Sequence, residues 1–127
     1  MRYLPDATTY DRVYCSHALE HLAPHDVVPT LKGFRNVLNE DGGLMVFVPD
    51  LEGVQATEEV LFTSPAGPIT GLDLLYGYRP ALKDSPHMAH RTGFTQASLH
   101  AALVAAGFAS PVVIRLSDYA LMGAARK

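Results

Sequence analysis

The chain has 127 residues, a formal net charge of -3 and 48% hydrophobic residues. That length fits one domain burying roughly two thirds of its unfolded surface, and the apolar share argues against disorder. The 10 Lys and Arg residues form no basic run, no apolar stretch approaches the ~20 residues needed to cross a bilayer, and the first residues lack a basic-then-apolar signal pattern. Nucleic acid and membrane are therefore not expected partners. Cys15 is the only cysteine, so no internal disulfide forms, which favours a reducing, cytoplasmic setting.

Residues 1–9 read as a loop. Tyr10–Ser16 reads as a buried strand that passes through a short polar switch into the helix-like Ala18-Leu19-Glu20-His21-Leu22. Residues 25–39 read as a helix, because Val27, Leu31, Phe34 and Leu38 recur at spacings of four, three and four. Pro29 falls early enough in it to be tolerated. Asn39-Glu40-Asp41-Gly42-Gly43 reads as a stop and turn. Leu44-Met45-Val46-Phe47-Val48 is an unbroken apolar run ended by Pro49, the pattern of a parallel strand covered on both faces.

Residues 50–94 hold five of the ten glycines and read as a long lid or insertion, with short helices at 54–63 and 73–77. Thr95 is the expected N-cap of a helix over 96–106, whose Leu99, Ala102, Leu103 and Ala106 share a face and which Gly107 stops. Val112–Leu116 reads as a strand, Ser117-Asp118 as a two-residue turn, and Tyr119–Ala124 as the returning antiparallel strand. The fold class is thus α/β: a mostly parallel sheet ending in an antiparallel hairpin strand. Residues 1–127 form a single domain, with 50–94 as its lid.

Tyr10-Asp11-Arg12-Val13-Tyr14-Cys15-Ser16-His17-Ala18-Leu19-Glu20-His21-Leu22 resembles a stretch of class I S-adenosylmethionine-dependent methyltransferases, "(F/Y)D-x-V-x-x-x-H-x-L-E-H-L". Leu38 to Val46 resembles the family's "L-x-P-G-G-x-L", with Glu40-Asp41 in place of the usual Lys-Pro or Pro. Asp73-Leu74-Leu75-Tyr76-Gly77, His90-Arg91-Thr92-Gly93-Phe94-Thr95 and Leu99 to Phe108 resemble "I-Y-G", "H-x-x-G-F-T" and "L-x-x-L-x-x-A-G-F" of one subgroup. Met1-Arg2-Tyr3-Leu4-Pro5 resembles the tail of "D-x-x-x-L-P". The resemblance implies the C-terminal half of a Rossmann-like methyltransferase fold. On that reading the family's first strands, glycine loop and cofactor-holding acids lie upstream of Met1. No G-x-G-x-x-G occurs in the sequence, so a truncated chain with weak or absent S-adenosylmethionine binding is expected, its methyl acceptor being a small molecule.

The resemblance also implies the site. Cys15, Ser16 and His17 at the end of the first strand would face the cofactor's sulfonium and methyl group, where main-chain carbonyls suit a cationic sulfur. His17 would orient the acceptor or take its proton, with Asp50 and His90 assisting as further catalytic residues. No metal is expected. A rival reading rests on His17-Ala18-Leu19-Glu20-His21, which fits the H-x-x-E-H of an inverted zinc peptidase: on a helix His17 and His21 would chelate zinc and Glu20 would act as base. Pro24 shortens any such helix. Another rival is a non-catalytic interaction module. Without the neighbouring strand of the intact fold, the 10–16 strand would be an open edge, and a homodimer through it is the expected association.

Overall fold

The computed structural model describes residues 9–127. The Met1–Pro5 resemblance and all but the last residue of the loop expected at 1–9 lie outside the described residues. The elements run β1 (Tyr10–Ser16), α1 (Pro24–Asn36), β2 (Leu38–Pro49), β3 (Val60–Ser64), β4 (Gly67–Thr70), α2 (Gly71–Tyr76), α3 (Arg79–Leu82), α4 (Gln96–Ala105), β5 (Ala109–Leu116) and β6 (Ala120–Arg126). Short 3-10 turns occupy Leu19–His21 and Pro86–Met88.

The main sheet has the order β1-β2-β6-β5. β1 and β2 are parallel, and β6 runs antiparallel to both β2 and β5. β1, β2 and β5 therefore point the same way, as the strand–helix alternation predicts. Each crossover helix packs on one and the same face. Cys15, Val46, Gly123 and Val113 form a row across the sheet on that face. Above it Leu31, Leu99 and Leu103 are fully shielded from solvent, each contributing roughly 1.5–3 kcal/mol. Gly123 is needed there for close approach: a Cβ would come within 3.2 Å of Leu99 Cδ2 and 3.0 Å of Val46 Cγ2.

Among the described residues nothing covers the opposite face, which corrects two sequence expectations. Tyr14, Met45, Ala124 and Val112 lie side by side in the next row, and Tyr14 is 68%, Met45 40% and Val112 55% exposed. Leu44–Val48 is thus covered on one face only. In β1 only Cys15 is buried, because the strand is an edge as well as half-covered.

Other departures have local causes. Residues 39–43 are not a turn: α1 ends at Asn36 and β2 begins at Leu38, with Gly43 already paired to Arg12 and Arg126. Residues 54–63 form no helix; Val60–Ser64 and Gly67–Thr70 make a separate two-stranded hairpin turning at Pro65-Ala66. The β5–β6 connection has three residues, Ser117 to Tyr119, with Asp118 and Tyr119 both in the left-handed region (φ 57° and 56°). The capping expectation holds fully: Thr95 Oγ1 accepts from Ser98 N and Ser98 Oγ accepts from Thr95 N.

Candidate functional site

A cavity of about 810 Å³ lies beyond the C-terminal ends of β1 and β2, roofed by the 57–90 region. Open α/β sheets place their ligands at this end of the strands. His17, Glu20, His21 and His90 line one wall; Phe62, Tyr78 and Met88 come from the roof, and Tyr119 from the hairpin loop. Phe62 and Tyr119 stack at 6.2 Å, joining roof to sheet.

The polar wall follows from how β1 ends. His17 N donates to Phe47 O (2.9 Å), completing the pairing, and His17 then turns sharply with φ 53°. Leu19 drops into the core at 1% exposure, and the 3-10 turn rolls Glu20 under the chain at 2% exposure. Residues 89–92 are laced over it: Arg91 N and Thr92 N both donate to the Glu20 carbonyl, at 2.8 and 3.2 Å, and His90 N donates to Tyr76 O at 3.0 Å. Gly77, with φ 101°, makes this passage possible, since a Cβ would meet Met88 O at 2.8 Å.

Four ionisable side chains gather as a result. Glu20 Oε2 lies 3.8 Å from His17 Nδ1 and 3.9 Å from His21 Nε2. Glu20 Oε1 is buried with no hydrogen-bond partner. His21 and His90 meet edge to face, with ring centroids 5.1 Å apart. His21 Nδ1–H donates to Ala89 O (3.2 Å) and His90 Nδ1–H to Leu74 O (2.8 Å). Carbonyls only accept, so both protons are assigned to Nδ1 and both Nε2 atoms carry lone pairs when the rings are neutral. The neighbouring Glu20 carboxylate raises the pKa of His17, against the burial that lowers it. Burial lowers the pKa of His90, outweighing its contact with the Leu74 carbonyl.

The structure brings His17 and His90 to one wall and leaves Asp50 outside it. The Asp50 carboxylate is buried, accepting from Arg115 Nε (2.6 Å) and Glu52 N (3.1 Å), and its backbone bridges to Phe94. It braces the end of β2 and does not line the cavity. Cys15 and Ser16 occupy the strand end as expected, but the Cys15 side chain points into the core. Burial pushes its thiol pKa up, and the Glu20 charge adds to this, which disfavours the thiolate. The zinc-peptidase geometry is absent: His17 belongs to a strand end with left-handed backbone, and no helix carries both His17 and His21. Sequence reading did not anticipate that His21 and His90 meet.

A second hollow of about 350 Å³ beside β1 is lined by Cys15, Ser16, Ala18, Leu19 and Thr30 among others. No acidic side chain lines it and no glycine-rich turn borders it among the described residues. This lining offers no carboxylate to hold a ribose.

No family model matches the sequence, and no curated protein resembles it closely enough to count as a relative. Solved structures do match. Human N-acetylserotonin methyltransferase in complex with SAM superposes with TM-score 0.59 at 17% identity, over 98% of this chain and 30% of that one. The 1,6-didemethyltoxoflavin-N1-methyltransferase of Burkholderia thailandensis gives 0.60 at 20% identity, over 98% and 47%. An O-methyltransferase family protein from Burkholderia thailandensis gives 0.61 at 10% identity, over 96% and 31%. The chain thus spans about a third to a half of the length of these structures. With its sheet order and antiparallel last strand, it has part of the S-adenosylmethionine-dependent methyltransferase fold.

Proposed function

We propose that this chain forms the acceptor-binding side of an S-adenosylmethionine-dependent methyltransferase acting on a small molecule. The observation that carries this reading is the cavity beyond β1 and β2, with a polar histidine wall facing an apolar, aromatic roof. A cavity so lined suits an aromatic or otherwise flat acceptor held by stacking and a few polar contacts. His17 stands where the cofactor-side hollow and the cavity adjoin, since residues on either side of it line the hollow and it lines the cavity itself. Its role is to orient the acceptor or receive its proton. Catalysis in such a site rests on holding acceptor and methyl donor in line and keeping water out.

The cofactor, when bound, supplies the methyl group; this chain contributes the strand-end wall at Cys15, Ser16 and His17. Calorimetry with S-adenosylmethionine is expected to show no dissociation constant tighter than about millimolar, roughly 4 kcal/mol. A micromolar constant would refute this expectation and mean that a second chain or another loop completes the site. At tens of millimolar cofactor, amide shifts are expected at Ser16 and His17, and shifts confined elsewhere would remove this reading.

A second reading, a non-catalytic interaction module, is favoured by the bare row of Tyr14, Met45 and Val112, which borders a surface hollow of about 470 Å³. In that case cofactor would shift no strand-end resonance at any concentration.

A further inference from the structure

Glu20, His21 and His90 are the unexplained part of the cavity wall. One ligand atom from each lies within 4.8 Å of the others. A carboxylate at 2% exposure with one oxygen lacking any partner is rare in a folded protein and calls for a missing counterpart. Among the described residues no arginine or lysine pairs with it; the nearest cationic candidates are His17 and His21, whose ring nitrogens lie 3.8 and 3.9 Å from its other oxygen, beyond hydrogen-bond length. The histidine rings are meanwhile fixed from behind. Each Nδ1–H is held by a backbone carbonyl, Ala89 for His21 and Leu74 for His90. This is the arrangement that orients a ligating imidazole and leaves Nε2 to bind.

We propose that Glu20, His21 and His90 bind a divalent first-row transition-metal ion in the wall of the cavity. Two imidazole nitrogens and one carboxylate oxygen suit such ions rather than magnesium or calcium. Bond lengths of about 2.0–2.2 Å place neighbouring ligand atoms on the order of 3–3.5 Å apart. The set is therefore somewhat open, and closing it needs only side-chain rotation, with the backbone kept in place by the Arg91 and Thr92 bonds to Glu20. Three protein ligands leave coordination positions on the cavity side, free for an oxygen or nitrogen donor of a bound small molecule. This last step rests on the acceptor reading above; metal binding itself does not.

The test uses the whole chain, stripped with a chelator and titrated with zinc chloride or cobalt chloride alone. The expected result is one ion per chain at micromolar affinity, with visible cobalt absorption of an N/O site. His90→Ala and Glu20→Gln are each expected to weaken binding at least tenfold, and exposed His25→Ala to leave it unchanged. Imidazole nitrogen spectra of the unsubstituted chain give a readout independent of variant folding: zinc is expected to move Nε2 of His21 and His90. Failure to bind one ion below millimolar, unchanged affinity in Glu20→Gln and His90→Ala, or ligation by other histidines would overturn the proposal. Cofactor titration is unaffected by any of these outcomes, so the two readings fail separately.

Discussion

The Asp50 carboxylate, at the ligand end of the sheet, is held by a partner from a distant strand, Arg115. Asp50 follows β2 at the ligand end of the sheet, which is why the sequence marks it. Its partner Arg115 is far along the chain and not signalled by any local pattern. The Arg115 guanidinium donates to Asp50 at 2.6 Å and to Glu52 at 2.9 Å, and these carboxylates raise its own pKa. Arg115→Ala would leave the Asp50 carboxylate buried with only the Glu52 N–H. The expected result is a lower unfolding midpoint, because a buried carboxylate loses a partner. Asp50→Asn combined with Arg115→Met should recover much of that loss; urea unfolding of the two variants checks both statements. The same reasoning explains His90. The sequence shows a histidine in a proline-bearing lid, but its meeting with His21 depends on how that lid folds back, which no spacing encodes.

At the scale of elements, legibility followed periodicity. α1 and α4 were readable because their apolar stripes match the helical repeat and Thr95 caps α4 as its type suggests. The β3–β4 hairpin is hard to read because Val60-Leu61-Phe62-Thr63 lacks clean alternation, although Ser64-Pro65-Ala66-Gly67 between two β-prone runs is a turn signal. The three-residue β5–β6 loop was read one residue short because Tyr119, a bulky residue, holds a positive φ that its type does not advertise. α2 carries its own reciprocal cap: Asp73 N donates to Thr70 Oγ1 and Thr70 N to Asp73 Oδ2. Burial pushes the Asp73 carboxyl pKa up, yet hydrogen bonds from Thr70 and Arg79 outweigh it and hold it below the ordinary value. A carboxylate with a depressed folded pKa adds stability that is complete above its unfolded pKa, about 3.9, and is lost as pH falls through the folded value. Amide exchange protection of α2 is therefore expected to fall from about pH 4 downward. Asp73→Asn should be less protected at neutral pH, about 1–2 kcal/mol, and should flatten that pH dependence.

At the scale of the whole molecule, nothing among the described residues covers the two outer strand edges or one face of the sheet. Rows of Tyr14, Met45 and Val112, then Phe47 and Ile114, form an apolar strip across all four strands. The sheet order and the apolar inner row were legible because alternating strands and helices admit few topologies. The apolar run at 44–48 does not by itself say which face a layer covers, since such a run reads the same either way. We expect the isolated chain to associate through this face and the β1 edge. Sedimentation at micromolar concentration should show a species of twice 13.8 kDa, and Tyr14→Lys should shift it to monomer. A single monomeric boundary for the unsubstituted chain would contradict the expectation. No helix among the described residues is long and apolar enough to cross a membrane.

The roof of the cavity leaves the sheet and returns to it at one point. Asp50 bridges to Phe94, and Leu51 N donates to Phe94 O at 3.0 Å. Everything between is an excursion whose ends are already held together. Lengthening such a loop is cheap, about 0.6 kcal/mol for each doubling, because the closure entropy grows only logarithmically. The roof is thus the part of this fold that can gain or lose residues, and so change the size of the compartment beneath it, while the strand register is left alone.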